Sequence, residues 1–314
     1  MKAIAVTAFK ATPELVDVPN PEVRPGTVLI RVSAAGMNPF DWKMIDGILD
    51  GQMPHQFPMI VGVDGAGTVT AIGEGVTRFK IGDKIYGQFI HAPIGEGSYA
   101  EYAVVPESAS ITTIPDGISF AEAAAIPTSG MTAQQMLEQL DLQPGQTVLI
   151  NGATGGVGSF TTQLAALHGL HVIATAHGDD ISRMKKLGAK EVIDYKAAPL
   201  ADQVKQAHPD GIDGLIDVVS NADTLKALSA LVKKGGPVLT TVFVADEAAL
   251  KANGLRGGNF ETKGSANSLD KLKDALGKIE IPIARRIKLT QVASAIEDSR
   301  NAISSGKTII EIDA

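Results

Sequence analysis

Hydrophobic positions follow two patterns along the chain. Through the first third they gather in short runs interrupted by glycine and proline, and helical spacing is scarce. Met1 to Phe9, Leu15 to Val18, Thr27 to Ser33, Val61 to Ile72, Lys84 to Phe89 and Ser98 to Val105 each read as a short strand. Pro19, Pro21 and Pro25 mark the turn before Thr27, and TVLIRVS alternates as a half-buried strand does. This third predicts a β-rich, barrel-like domain with irregular loops. From Thr147 the pattern changes. Apolar runs at Thr147–Ile150, His171–Thr175, Gly214–Val219 and Gly236–Phe243 alternate with helical spacing at Ser159–His168, Leu200–Ala207 and Ala222–Leu231. Continuous apolar strands separated by helices predict a parallel sheet covered on both faces. The alternation is expected to end near Thr262, and the run Lys307–Ile312 to return to the first domain as a strand.

Between the first of these strands and its helix lies Asn151-Gly152-Ala153-Thr154-Gly155-Gly156-Val157-Gly158. Strand, glycine turn, helix and strand make the unit whose helix N-terminus receives a pyrophosphate. Glycines suit such a turn because it is tight, phosphates approach the backbone, and the helix lies close on the strand. Ala153, Gly155, Gly156, Val157 and Gly158 are therefore candidate nucleotide contacts, with an ordinary glycine-rich loop as the alternative. Strand ends of such a sheet face the ligand, which adds Ser220, Val242 and Phe243; the last two read equally well as core. A carboxylate at the end of the second strand would bond a ribose 2′-hydroxyl. Thr175 stands there instead, and His177 and Arg183 offer donors or charge to a 2′-phosphate, so NADPH is the expected cofactor. Asp179 and Asp180 oppose that reading if their loop folds toward the ribose.

Length favours two domains. A formal charge of -7 leaves no basic surface for nucleic acid or anionic lipid, so a small-molecule partner is expected. The absence of cysteine excludes disulfides, thiolate nucleophiles and cysteine-ligated zinc. MKAIAVTAF offers no signal-like apolar segment and no run nears eighteen apolar residues, so a cytoplasmic location is expected. The histidines suggest no metal cluster: His168 and His171 flank Gly169, while His55, His91 and His208 are far apart in loop-like sequence.

Several ordered motifs carry a family resemblance. Ala35-Gly36-Met37-Asn38-Pro39-Phe40-Asp41-Trp42-Lys43, Val61-Gly62-Val63-Asp64-Gly65-Ala66-Gly67, Gly73-Glu74-Gly75-Val76, Gly82-Asp83-Lys84 and the stretch Ala123–Ala133 join the glycine turn. Together they resemble the medium-chain dehydrogenase/reductase superfamily, and more narrowly its zinc-free quinone oxidoreductase branch. The resemblance implies an α/β fold, a Rossmann doubly wound parallel sheet inserted into a β-rich GroES-like barrel domain. Residues 1–125 plus 262–314 would form the substrate domain and 126–261 the dinucleotide domain.

Zinc-dependent members of the superfamily hold their metal with a cysteine after the first Ala-Gly pair, a histidine in Gly-His-Glu and a later cysteine. The matching positions here are Asn38, Val63 and Thr128, a poor donor set for zinc, and the cysteine-rich structural lobe is missing. No metal is expected. The resemblance also places Thr128 and Thr132 near the cofactor, Tyr195 along the adenosine and Phe260 toward the nicotinamide, and implies a homodimer. Asn38, Asp41 and Lys43 are the candidate catalytic groups, as donors to a developing enolate or phenolate. Asp41 reads also as a loop brace, Lys43 as a solvated charge and Trp42 as a packing anchor. No definite general acid emerges. The implied function is NADPH-dependent, zinc-independent hydride transfer to quinones or small α,β-unsaturated carbonyls. The alternatives are an enoyl-thioester reductase and a non-enzymatic nucleotide-binding or structural protein.

Overall fold

The computed structural model describes residues 1–301 and 306–312; residues 302–305 and 313–314 of the expected substrate domain lie outside the described residues. In chain order the first elements are β1 (Lys2–Val6), β2 (Glu14–Asp17), β3 (Thr27–Gly36), α1 (Pro39–Ile45), β4 (His55–Ile60), β5 (Asp64–Ile72), β6 (Lys84–Gln88), β7 (Ile94–Glu96), β8 (Tyr102–Pro106), β9 (Ile111–Thr113) and α2 (Phe120–Ala125). There follow α3 (Pro127–Leu140), β10 (Thr147–Asn151), α4 (Gly156–Leu167), β11 (His171–Ala176), α5 (Asp180–Lys186), β12 (Glu191–Asp194), α6 (Leu200–Ala207), β13 (Gly214–Asp217), α7 (Ala222–Ser229), β14 (Pro237–Thr240), α8 (Glu247–Ala252) and β15 (Arg256–Asn259). The chain ends with α9 (Ala266–Leu276), β16 (Ile283–Lys288), α10 (Val292–Arg300) and β17 (Lys307–Glu311).

Two compact units result, one of Met1–Thr128, Gly264–Lys273 and the residues from Ile281 on, the other of Ser129–Lys263 and Asp274–Glu280. The return of 274–280 to the second unit departs from the expected boundary at 261/262. Its cause is local: the Gln163 side chain accepts the Glu280 N–H and donates to the Glu280 carbonyl.

In the first unit β3 is the hub. It pairs antiparallel with β5, β8 and β17, while β2, β1, β4 and β7 form a smaller sheet. Alternation along β3 sends Val28, Ile30 and Val32 inward to Ile4, Val69, Ile85 and Val105. β16, α10 and β17 form a parallel strand–helix–strand unit added to this sheet. The alternation expected to end near Thr262 thus continues, on the other sheet.

The second unit is a six-stranded parallel sheet in the order β12-β11-β10-β13-β14-β15. Val148, Ile150, Val172 and Ile216 face one set of helices, and Leu149, Ile173 and Leu215 face the other. Burial on both sides explains why these strands read as unbroken apolar runs. The strand order reverses between β10 and β13, and ligands of such sheets bind outside the C-terminal ends at this switch point.

Candidate active site

At the switch point β10 ends in Asn151 and the chain turns at Gly152, whose φ of +85° is left-handed. A β-carbon at Gly152 would also lie 2.6 Å from the Val218 side chain. Helix α4 begins at Gly156, three residues before its expected start, with Gly155 as N-cap. Gly158 is needed for close approach, because a β-carbon there would stand 2.2 Å from the Gly152 carbonyl oxygen and 2.6 Å from Ala153 Cα. A β-carbon on Gly155 would meet only the Gly152 oxygen at 3.5 Å, and this N-cap carries no side-chain acceptor. The first-turn N–H groups at Gly156, Val157 and Gly158 thus face a space that a side chain would fill, and the dipole of a twelve-residue helix favours an anion there. This cradle fits a dinucleotide pyrophosphate. Ala153 is fully buried beneath it.

The strand ends behind the cradle are tied by polar side chains. The buried Asp217 carboxylate accepts from Asn151 Nδ2 at 2.8 Å, Ser220 Oγ at 2.6 Å and Thr240 Oγ1 at 3.1 Å. Thr175 Oγ1 accepts the Gly152 N–H at 3.0 Å and donates to Asn151 Oδ1 at 3.2 Å. Ser220 and Thr175 therefore brace the turn and the strands, with their hydroxyls already engaged. Arg183 reaches from α5 to the first turn of α4, its Nη2 3.0 Å from Ser159 Oγ, while Asp180 holds its Nη1 at 2.8 Å. His177, exposed just past β11, pairs with Asp194 at 3.1 Å and lies 6.0 Å from the Tyr195 ring. Arg183 thus reaches Thr154 and Ser159 at the glycine turn, while His177 and Tyr195 follow the ends of β11 and β12.

β14 stops at Thr240, so Val242 and Phe243 lie beyond it. Val242 is half-buried, whereas Phe243 is 60% exposed with φ +58°, an uncommon conformation for an aromatic residue. Phe260 is buried and packs in the core with Ile216 and Leu239. Thr132 is also buried, its hydroxyl 2.6 Å from that of Thr262. His171 and His208 both bond Glu191. Because His171 and Glu191 open β11 and β12, this cluster lies at the opposite edge of the sheet.

The first unit gathers Asn38, Asp41, Asp64, Tyr99, Thr128 and Lys307. Asn38 precedes α1; its amide donates to the Gly36 carbonyl at 3.2 Å and to Asp64 Oδ2 at 2.9 Å, and its oxygen accepts from Lys307 Nζ at 2.6 Å. Asp41 is fully buried and accepts the Asn38 N–H at 2.6 Å, the Val63 N–H at 3.0 Å and the Tyr99 hydroxyl at 2.6 Å. Burial pushes its carboxyl up to about 7, against the pull of the Tyr99 and Asn38 donors. The same burial raises the Tyr99 hydroxyl well above the usual tyrosine range. Thr128 Oγ1 donates to Asp64 Oδ1 at 2.6 Å and accepts from Gln88 at 2.9 Å.

These bonds revise the expected catalytic set. The Asn38 amide has both hydrogens and its oxygen engaged within the protein, and Asp41 braces the loop. Of the three only Lys43 is partly exposed, its Nζ 5.7 Å from the Trp42 ring centroid. Trp42 packs half-buried against the barrel core, with the Arg300 guanidinium 5.8 Å from its ring. Nor does the donor set fit a zinc ion: Asn38 and Thr128 are committed to Lys307 and Asp64, and Val63 is aliphatic. Among the described residues no group of three histidine, cysteine or acidic side chains could hold a metal. Lys307 and Asp217 went unnoticed in the sequence, and only their positions in otherwise apolar strands hinted at them.

Comparison with known proteins agrees with this architecture. The family description "Alcohol dehydrogenase GroES-like domain" matches residues 24–116, and "Zinc-binding dehydrogenase" matches residues 156–280. The chain belongs to the medium-chain dehydrogenase/reductase family. Within it the chain falls in the quinone oxidoreductase branch. It is 41% identical over 187 residues to a chloroplastic quinone-oxidoreductase homolog of Spinacia oleracea, a match covering 58% of this chain and 56% of that protein. This match spans little more than half the length of that relative. A trans-enoyl reductase of Aspergillus japonicus is 31% identical over 311 residues, 91% of this chain and 89% of its own. The solved quinone oxidoreductase from Coxiella burnetii superposes with a TM-score of 0.86 at 29% identity, covering 100% of this chain and 99% of that one.

Proposed function

We propose that the chain is an NADPH-dependent, metal-independent reductase acting on quinones or small α,β-unsaturated carbonyls. The observation that carries the reading is the cradle at the start of α4 with Arg183 beside it and no carboxylate at the end of β11. A bound reduced nicotinamide supplies the hydride. The protein's part is binding and orientation. The N–H groups of Gly156 to Gly158 hold the pyrophosphate, Arg183 and His177 meet the 2′-phosphate, and Tyr195 borders the adenosine. Val242 and exposed Phe243 border the same strand-end crevice. Asn38, Val63 and Thr128 offer no Lewis-acid site, so a conjugated acceptor, which needs less polarisation, suits this chain better than a simple ketone. Lys43 is the donor to the developing oxyanion. A homodimer and a cytoplasmic location belong to the same proposal; β15 is an edge strand open to a second copy.

Purified protein should oxidise NADPH with 9,10-phenanthrenequinone or 1,4-benzoquinone, or with an alkenal, faster than with an enoyl thioester. The reverse order would favour an enoyl reductase, a reading supported by the near full-length match to a trans-enoyl reductase. NADPH binding without turnover on any of the four would favour a non-enzymatic role.

Two substitutions examine the assignments. NADPH should bind more tightly than NADH. Arg183→Ala should narrow that difference by roughly tenfold, since a charge-assisted hydrogen bond contributes about 1.5–3 kcal/mol. Tighter NADH binding, or a ratio unmoved by the substitution, contradicts the 2′-phosphate assignment. Lys43→Ala should lower turnover more than NADPH affinity, and unchanged turnover removes Lys43 from the reaction.

A further inference from the structure

Arg183 and His177, the two groups assigned above to a 2′-phosphate, are each already held by a carboxylate. His177 bonds Asp194 at 3.1 Å, and Asp180 Oδ1 takes Arg183 Nη1 at 2.8 Å. The two carboxylates differ in what else they do. Asp194 also accepts the Lys196 N–H at 2.9 Å and so shapes the turn after β12. The Asp180 side chain bonds Arg183 alone among the described residues. Asp179, one residue earlier, is exposed and makes no side-chain cap bond to α5.

The Arg183 guanidinium is anchored on two sides. Its Nη2 lies 3.0 Å from Ser159 Oγ and 3.5 Å from the Thr154 carbonyl oxygen, while Asp180 holds Nη1. Those three bonds leave two of the five N–H groups of a guanidinium for a ligand. Its place at the glycine turn is therefore fixed before a nucleotide arrives, which lowers the ordering cost of binding. The same arrangement has an opposing effect. A 2′-phosphate bonded to Arg183 would come close to the Asp180 carboxylate and be repelled by it. The 2′-hydroxyl of NADH carries no charge and escapes that repulsion. Both side chains of the pair are partly exposed, at 29% and 28%, so the pair contributes little to stability and acts mainly on the ligand.

We propose that Asp180 is a specificity-determining residue: it holds Arg183 in place and, by its charge, limits the preference for NADPH over NADH. It is a positioning residue, acting on the nucleotide beside and through Arg183. The inference rests on the proposed assignment of Arg183 to the 2′-phosphate. Both reduced nucleotides are accordingly hydride donors for this chain, with NADPH favoured by a margin that Asp180 keeps small.

Titration of the full chain with NADPH and with NADH tests this without any substrate. Asp180→Asn keeps an oxygen that can accept from Arg183 and removes the charge. It should tighten NADPH binding roughly tenfold and NADH binding by less than about twofold, so that the ratio widens. The gain should shrink in high salt. Asp179→Asn, which removes a neighbouring charge that does not touch Arg183, should widen the ratio much less. A merely structural role would move both nucleotides together. A ratio unmoved by Asp180→Asn, a common shift of both affinities, or an equal gain from Asp179→Asn would each overturn the proposal. Arg183→Ala separates the inference from its premise. If that variant narrows the ratio while Asp180→Asn leaves it unmoved, only the role of Asp180 is lost. If Arg183→Ala leaves the ratio unmoved, the 2′-phosphate assignment falls and the role of Asp180 with it.

Discussion

Gly158→Ala should weaken NADPH binding by roughly tenfold or more and destabilise the second unit by about 1–3 kcal/mol, the usual cost of forcing extra atoms into a packed site. The new methyl group would lie 2.2 Å from the Gly152 carbonyl oxygen and 2.6 Å from Ala153 Cα. These are backbone atoms that cannot swing aside, so either the turn opens or α4 lifts from β10. Each movement shifts the N–H groups of Gly156 and Val157 away from the phosphates. Gly155→Ala separates the two effects. Its methyl group meets only the Gly152 oxygen at 3.5 Å, so the fold should be unaffected while the methyl intrudes on the cradle. Titration of NADPH and thermal melting of both variants check this pair. A Gly158→Ala protein that binds NADPH as wild type does would remove the cradle from the nucleotide site.

The second large effect lies in the barrel unit. Asp41→Ala would leave three buried donors, the Asn38 and Val63 N–H groups and the Tyr99 hydroxyl, without their acceptor. At about 1 kcal/mol or more for each, the loss is roughly 3 kcal/mol or more. The wild-type residue should also leave a mark in the pH dependence of stability. Its carboxyl is raised to about 7 in the fold, against about 4 for an unfolded aspartate. Between those values the folded chain holds a proton that the unfolded chain has released, so stability falls as pH rises. The contribution is complete below about pH 4 and gone once pH has passed the folded value near 7. Denaturant unfolding of wild type across this window should show the decline, and Asp41→Ala should lack it. Identical slopes for the two proteins would contradict the burial of Asp41 as a shared acceptor.

The parts of this protein that were legible in sequence are those set by neighbours along the chain. Thr147–Asn151, the glycine turn and His171–Ala176 declare themselves because strand, turn and helix chemistry act within a few residues. The helix start was misplaced because Gly156 and Gly158 are poor helix formers; they are helical here because the turn needs close backbone approach. Distant contacts were not legible. Lys307 meets Asp64 only through the register of β17 on β3 and of β3 on β5. Phe260 enters the core because the parallel sheet carries it onto Leu239 and Ile216. Asn38 and Asp41 looked like substrate donors because their types and spacing allow it. Tyr99, Val63 and Lys307, which consume their hydrogen bonds, lie far away in sequence. The zinc positions told more by what they lack, and the structure adds that Asn38 and Thr128 are engaged by Lys307 and Asp64.

The most direct test of the account is quinone-dependent NADPH oxidation by protein exhaustively dialysed against a chelator. Turnover of 9,10-phenanthrenequinone or 1,4-benzoquinone with NADPH is expected, equal before and after dialysis. An absence of turnover despite NADPH binding, or activity that disappears on dialysis and returns only with zinc, would contradict it.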